Sequence, residues 1–296
     1  MSKGLLDPKV DFVFKNIFGS PNHPEILISF LNATLKAKKK IVNVDIKKTD
    51  IEKQYIEDKY SRLDVKATTS NDEIINIEIQ LKNENNMVKR SLYYLSKMYE
   101  EQLNEKEDYS KLVRTVCINI LNFKYLKTDN FHTGYRFKEI ESNEELTDIM
   151  EVHFIEIPKL QDSSDEKDML VAWTEFLKDP ESEKVRGLEL SIEEIRQAKD
   201  ELIRMSNDST QRELYDMRAN SLRDKMSELN AAERKGIEKG REEGREEGRK
   251  EGRKEGIEEG RKEEKIKIER NMKLSGLDTN TIAKITNLSE DEIDKL

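Results

Sequence analysis

The sequence predicts an α/β protein with a mixed central sheet flanked by helices, followed by a helical C-terminal extension. Short apolar segments with a two-residue alternation recur as far as Pro158, and segments of helical periodicity lie between them. From Asp162 onward the periodicity is helical only. Glycine then recurs at every fourth position from Gly236 to Gly260, within an otherwise charged segment. This repeat separates the extension from the predicted core.

The composition limits the classes of function. Charged residues make up 39% of the 296 residues, which is more than a single globule needs, so we expect exposed helices or a tail. The formal net charge of -9 excludes a globally basic nucleic-acid binder. A single cysteine, Cys117, lies in an apolar strand and is expected to be buried. No signal-peptide core and no apolar segment of membrane-spanning length occurs, which predicts a soluble, cytoplasmic protein.

Two helices and a strand are predicted before the central hairpin. The first helix covers 8–19, with Pro8 in its first turn after a capping Asp7. The second covers about 26–35, and the alternating segment 41–46 is a strand. Asp11 and Lys15 lie one helical turn apart, so they form either a surface ion pair or, for Asp11, an extra acid beside a metal site. The lysine-rich run 36–40 is either a solvated helix end or a phosphate contact.

The central feature is a predicted β-hairpin over 61–80. Ser70, Asn71 and Asp72 supply turn chemistry between its two apolar segments. Residues two apart on a strand face the same side, so Glu78 and Gln80 project together, and the hairpin brings Asp64 beside them. Two carboxylates and an amide form an oxygen-rich site of the kind that binds Mg²⁺.

A helix over 85–103 and three strands, 113–121, 134–140 and 151–158, complete the predicted core. The helix is expected to bury one stripe of side chains: Met87, Leu92, Leu95, Met98 and Tyr99. Arg90 and Tyr94 either orient a phosphate or are, respectively, a surface cation and a core residue. His132 and His153 lack further ligands at zinc spacing and are interpreted as structural. No P-loop, dinucleotide fingerprint or nucleophile elbow occurs.

The predicted C-terminal region consists of helices. One helix near 171–177 closes over the sheet, a second begins with a capping box at Ser191 and Glu194, and a third covers 209–229. The glycine repeat is either a self-association stalk or a solvated spacer. Residues 276–296 are patterned like a small helix-turn-helix whose last helix is acidic, so we expect it to contact protein rather than DNA. The predicted domains are 1–180, 181–230, 231–265 and 266–296.

The order of these motifs resembles that of one nuclease family. Asp64 followed by Glu78-Ile79-Gln80 is similar to the D…(D/E)-X-K core of PD-(D/E)XK nucleases, with glutamine in place of lysine. The opening segment 7–15, the stretch 62–65 and the helix segment 89–94 resemble the Rpn branch, which comprises recombination-promoting nucleases and transposases. The similarity runs from about Leu5 to Leu177.

The resemblance implies a PD-(D/E)XK-type fold and a metal-dependent DNA endonuclease, with a role in recombination, transposition or defence against foreign DNA. Asp64, Glu78 and Gln80 would be catalytic, and Asp64, Glu78 and the Ile79 carbonyl would hold Mg²⁺ or another divalent cation. The auxiliary residues would be Asp11, Lys82, Arg90 and Tyr94, with Lys82 on the same face if the strand continues.

Further partners follow from the same resemblance and from the C-terminal pattern. The partners would be DNA, further copies of the chain through its C-terminal helices, and a shorter C-terminal product started at Met217 or Met226. An inactive nuclease fold that serves as an interaction module is the alternative, and a DNA-binding regulator is a third hypothesis, which the acidic C-terminus disfavours.

Overall fold

The computed structural model describes residues 4–36, 39–47, 64–165, 167–287, 289 and 293. The chain divides into two compact units, Met1–Asp224 and Lys225–Leu296. None of the described helices is both long and apolar enough to cross a lipid bilayer.

The described part of the first unit contains a six-stranded mixed sheet. The strands are β1 (Val44–Lys47), β2 (Val65–Thr69), β3 (Ile74–Gln80), β4 (Thr115–Leu121), β5 (His132–Lys138) and β6 (Glu145–Glu156). Their order in the sheet is β1-β2-β3-β4-β6-β5. The β3–β4 and β4–β6 pairs are parallel, and the other three pairs are antiparallel. The predicted fold class, a mixed sheet with helices, is therefore confirmed.

Helices of the first unit cover both faces of this sheet. The described helices of the chain are α1 (Asp11–Phe18), α2 (Pro24–Leu35), α3 (Met87–Glu100), α4 (Met169–Lys178), α5 (Glu183–Glu189), α6 (Glu193–Asn207), α7 (Ser209–Leu274) and α8 (Thr279–Thr286). Short 3₁₀ turns occur at Tyr109–Lys111 and Ile157–Lys159.

The two faces of the sheet carry different cores, because successive strand residues point to opposite sides. On one face Ile75, Ile77 and Ile79 of β3 join the large cluster that includes α1, α2, α4 and α6. In that cluster the rings of Phe18 and Trp173 pack edge to face with centroids 5.3 Å apart. The other face carries a smaller cluster beneath α3, and this cluster includes Cys117. The alternate residues of β3, such as Glu78, face the same helix.

Local hydrogen bonding moves two predicted helix starts. Helix α1 begins at Asp11 rather than Pro8, because the Val10 N–H donates to the Asp7 carbonyl in a preceding turn. Helix α6 begins after Ile192 without a side-chain cap, and the Ser191 hydroxyl donates back to the Leu188 carbonyl, so the predicted capping box is wrong.

The periodicity of two other segments also differs from the prediction. Leu92 was expected inside, yet its side chain is 49% exposed, and Ser91 takes the buried position on α3. The helix predicted over 209–229 and the glycine repeat form one helix, α7. Helix propensity lost at the glycines is offset by the many good helix formers between them.

The second unit ends in a short helix, α8, with a side-chain cap. The Asp278 carboxylate caps this helix by accepting a hydrogen bond from the Thr281 N–H at 3.0 Å. Ile282 and Ile293 are buried. The acidic helix predicted at 289–294 lies largely outside the described residues.

Candidate active site

The predicted hairpin is formed by β2 and β3. The two strands are antiparallel, with Val65 opposite Ile77, and Asp72 has a positive φ of 60° in the connecting turn. Asp64 immediately precedes β2, so the same register continued by one residue places it opposite Glu78. The structure therefore brings these two carboxylates to the edge of the β2–β3 pair.

Asp64 is held by the backbone of the neighbouring strand. Its Oδ2 accepts a hydrogen bond from the Ile79 N–H at 2.8 Å, and the residue is only 9% exposed. The pKa of Asp64 is raised to about 7, mainly by burial and to a smaller extent by the charges of Glu78 and Asp11. The Ile79 hydrogen bond and the charge of Lys15 oppose this shift.

Glu78 is the more deeply buried of the two acids, at 2% exposed. Its Oε2 accepts a hydrogen bond from Arg90 Nε at 3.1 Å, while its buried Oε1 has no hydrogen-bond partner among the described residues. Burial raises the pKa of Glu78, and the adjacent Arg90 guanidinium and the Asn76 side chain oppose the shift. A buried carboxylate oxygen without a partner is costly, so this atom is suited to receive a ligand.

Arg90 and Tyr94 lie one turn apart on α3 and contact each other. The Arg90 guanidinium lies 5.3 Å from the centroid of the Tyr94 ring, a cation–π distance. Tyr94 is buried, whereas the Arg90 side chain remains 24% exposed while it pairs with Glu78. Arg90 is thus an ion-paired residue of the site rather than a solvated surface cation.

The donor set suits a divalent cation with oxygen ligands. In a strand the N–H and C=O of one residue point to the same side, so the Ile79 carbonyl points toward the strand edge where Asp64 accepts the Ile79 N–H. Two carboxylates and a carbonyl are hard ligands that Mg²⁺ favours. Among the described residues no group of three or more His, Cys, Asp or Glu side chains could hold a metal ion, so the carboxylate pair is the basis of this site.

Comparison with protein-family models matches residues 8–232 to the PD-(D/E)XK nuclease family transposases. Residues 262–296 match the C-terminal helix-turn-helix domain of the Rpn/YhgA-like nuclease family. The chain belongs to the PD-(D/E)XK nuclease family transposases. The resemblance to the Rpn branch is confirmed, and a nuclease-type function follows at the level of the family. The searches of curated proteins and of solved structures gave no match.

Asp11, the acid of the first helix, lies near Asp64 but forms its ion pair with a different residue. Asp11 Oδ2 lies 2.9 Å from Arg218 Nη1 of α7, and Asp11 Oδ1 accepts the Phe12 N–H. The alternative of an Asp11–Lys15 ion pair is therefore wrong for the described structure. Asp11 still lies close enough to Asp64 for its charge to raise the pKa of that carboxyl.

Gln80 and Lys82 occupy different environments. Gln80 is the last residue of β3, opposite Leu121 of β4, and is partly buried. Lys82 follows the end of the strand, so the alternation that would place it on the Glu78 face does not extend to it. The residue two positions after Glu78 is thus a neutral amide, and Lys82 does not continue the same strand face.

The two histidines of the sheet lie together, which the sequence spacing did not indicate. His132 Nε2 and His153 Nδ1 are 2.9 Å apart, and His153 Nε2 lies 2.7 Å from Glu151 Oε1. Burial and the neighbouring His153 lower the pKa of His132 to about 4. A Cβ on Gly134 would lie 3.1 Å from the His153 ring, so a larger residue there would press on this ring. The pair is a partly buried, hydrogen-bonded element that joins β5 to β6, in keeping with its structural interpretation.

Two contributors to the site were missed in the sequence. Arg218 reaches Asp11 from 207 residues further along the chain, and no local pattern could have indicated this contact. Asn119 of β4, opposite Glu78, accepts a hydrogen bond from the Ser91 hydroxyl at 2.9 Å and thereby ties β4 to α3 beside Arg90. A polar residue within the apolar segment 115–121 was the available signal.

Proposed function

We propose that this protein is a Mg²⁺-dependent DNA endonuclease that hydrolyses phosphodiester bonds. The observation that carries the proposal is the pair of buried carboxylates, Asp64 and Glu78, with one Glu78 oxygen lacking any partner among the described residues. Their pKa values are raised by burial, and a bound cation would stabilise both in the ionised form. Perturbed, adjacent acids of this kind are typical of functional sites.

Each residue of the candidate site has its own role in this proposal. Asp64, Glu78 and the Ile79 carbonyl would hold the cation, which would polarise the scissile phosphate and increase the acidity of a nearby water. Arg90 keeps Glu78 in place through its 3.1 Å ion pair and, with Tyr94 behind it, presents a cation toward the DNA backbone. Gln80 positions the water by hydrogen bonding. Hydrolysis consumes this water, breaks one phosphorus–oxygen bond and leaves a phosphate monoester and a hydroxyl.

The biological setting of the proposal follows from the family. Transposase-family nucleases with a helix-turn-helix domain act on DNA, so DNA is the proposed substrate, and recombination, transposition or defence against foreign DNA is the proposed context. With a net charge of -9, the chain must bind DNA through local cations and metal ions rather than through its overall charge.

The test is cleavage of supercoiled plasmid by the full chain with Mg²⁺, in parallel with an EDTA control. We expect Asp64→Ala and Glu78→Ala each to reduce the rate by at least about 10²-fold, because each removes a cation ligand. Asp148→Ala is the matched control, since Asp148 is an exposed carboxylate on β6. Its rate should equal that of the wild type.

Two results would overturn this proposal. Cleavage that persists in both site variants, or that is insensitive to EDTA, would place the activity elsewhere. A wild type that is silent with Mg²⁺ and with Mn²⁺, both as the full chain and without residues 225–296, would favour the inactive nuclease fold.

A second candidate function is self-association through α7. The glycine row of this helix is exposed, and a Cβ at any of its seven positions would meet nothing within 4 Å. We propose that this row is the contact surface between copies of the chain, so the C-terminal helices make a homo-oligomer. A shorter product started at Met226 would lie wholly within the second unit and would join the same assembly. Analytical ultracentrifugation of the full chain tests this proposal, and a monomer at all concentrations would contradict it.

A further inference from the structure

The cationic side chains described so far at the candidate site lie next to carboxylates, so the positive charge that would bind a phosphate has still to be identified. Arg90 is engaged by Glu78, and Lys66 lies 3.9 Å from Glu101. Gln80 is neutral. A site that holds two carboxylates and must also accept a phosphate diester needs additional positive charge close to Asp64.

Helix α1 brings Lys15 to that position. The Gly19 N–H donates to the Lys15 carbonyl at 2.9 Å, and a Cβ on Gly19 would lie 3.4 Å from Val65 Cγ2. The last turn of α1 therefore packs against the first residue of β2, directly after Asp64. Lys15, which lies in this last turn, is partly buried.

Lys15 is also kept out of the ion pair that its sequence position favours. Asp11, four residues earlier, is held by Arg218 at 2.9 Å, and Lys9, the other lysine of this segment, is held by Asp7 and the Leu177 carbonyl. Within the described part of the chain Lys15 forms no ion pair with any carboxylate inside 4 Å. A partly buried lysine in the helical turn that packs next to Asp64, with no carboxylate within 4 Å to neutralise it, is available to a ligand anion.

We propose that Lys15 binds the scissile phosphate beside Asp64 and supplies there the positive charge that Gln80 lacks. This inference rests on the proposed nuclease function and assigns a substrate-binding residue on a different structural element, helix α1. The role is electrostatic: Lys15 stays protonated throughout and stabilises the negative charge that grows on the phosphate oxygens during hydrolysis. Arg218 supports it indirectly by holding Asp11.

Cleavage assays of the full chain test the charge and its position. At saturating Mg²⁺ we expect Lys15→Gln to reduce the plasmid-cleavage rate about 10²-fold, and Lys15→Arg to retain most of the activity because the charge remains. Adding Gln80→Lys to Lys15→Gln should restore the rate at least about tenfold by returning a cation to the site from β3. Lys138→Gln, at an exposed lysine on β5, is the matched control and should leave the rate unchanged.

Mn²⁺ affinity, measured without DNA by electron paramagnetic resonance, separates this role from a structural one. Removing a positive charge beside Asp64 should tighten Mn²⁺ binding in Lys15→Gln by about threefold or more, whereas a disturbed fold would weaken it. Weaker or unchanged Mn²⁺ binding would overturn the inference. A wild type that cleaves and a Lys15→Gln variant that cleaves equally well would overturn the inference alone, and an inactive wild type would overturn the proposed function with it.

Discussion

Two ion pairs, one in each unit of this protein, differ in how far their charged side chains are exposed to water. In the first unit Arg90 Nε lies 3.1 Å from Glu78 Oε2, and the side chains are 24% and 2% exposed. In the second unit Lys239 Nζ lies 3.6 Å from Glu243 Oε1, with 78% and 68% exposed. The distances are similar, but only the first pair has lost most of its water.

Burial, rather than the number of charges, distinguishes the ion pair of the proposed site from the ion pairs of α7. Water and salt screen the charges of α7, so individual pairs there contribute little to stability. Around Asp64 and Glu78 the screening is weak, and each charge needs a partner, a proton or a cation.

Asp64→Asn should stabilise the metal-free protein at high pH. Below about pH 4 the carboxyl is protonated in both states, so the substitution changes little. Between pH 4 and 7 it ionises only in the unfolded chain, since the folded pKa is about 7, and the folded wild type loses stability as the pH rises. At pH 8 the variant should be more stable by about 2–4 kcal/mol.

Urea unfolding in EDTA at pH 4 and pH 8 measures this difference. The asparagine oxygen can still accept the Ile79 N–H, so the native hydrogen bond is kept. Asp148→Asn, an exposed carboxylate, is the control and should show no such pH dependence. Equal stability of wild type and Asp64→Asn at both pH values would show that Asp64 ionises without a burial penalty.

Arg90→Met and Lys239→Met compare the two ion pairs directly. Arg90→Met leaves Glu78 buried without its cation and should lower the free energy of unfolding by about 1–3 kcal/mol at pH 8. Lys239→Met should cause no measurable change. Mg²⁺ should recover part of the Arg90→Met loss, because a bound cation stabilises the same carboxylate. Equal effects of the two substitutions in denaturant titrations would refute the contrast.

Replacement of glycines tests the role of the repeat in α7. Each Gly→Ala change in an exposed helix should favour the helix by about 1 kcal/mol, so Gly248→Ala with Gly252→Ala should increase the helical circular dichroism on heating. If the row is the contact between chains, the added methyl groups hold the helices apart and weaken association in sedimentation. Glu247→Ala is the matched control off the row. If the variant associates as strongly as the wild type, the repeat is a solvated spacer and not the contact between chains.

Local patterns were sufficient for much of the fold. The mixed sheet, the hairpin that carries Asp64 and Glu78, and the burial of Cys117 follow from two-residue alternation and turn chemistry. Helix starts were less accurate, because at Asp7 and Ser191 the polar side chain or backbone closes a turn before the helix instead of capping it.

The energetics of the site needed the three-dimensional structure. Alternation indicates that Glu78 shares a strand face with Gln80, but not that one Glu78 oxygen is left without a partner. Likewise, the spacing of Asp11 and Lys15 favours an ion pair, and only the contact from Arg218 shows why Asp11 is occupied elsewhere. Contacts between distant parts of the chain carry no periodic signal in a single sequence.

We propose that Asp64 and Glu78 together bind a divalent cation. Mn²⁺ anomalous diffraction would locate such a cation. In crystals of the full chain soaked with Mn²⁺, we predict an anomalous peak about 2.1 Å from a carboxylate oxygen of each residue, with the Ile79 carbonyl as a further ligand. The peak should vanish in Asp64→Ala crystals. An anomalous peak only at another position, or no peak at Asp64 and Glu78 in a protein that still cleaves DNA, would show that these residues do not bind the cation.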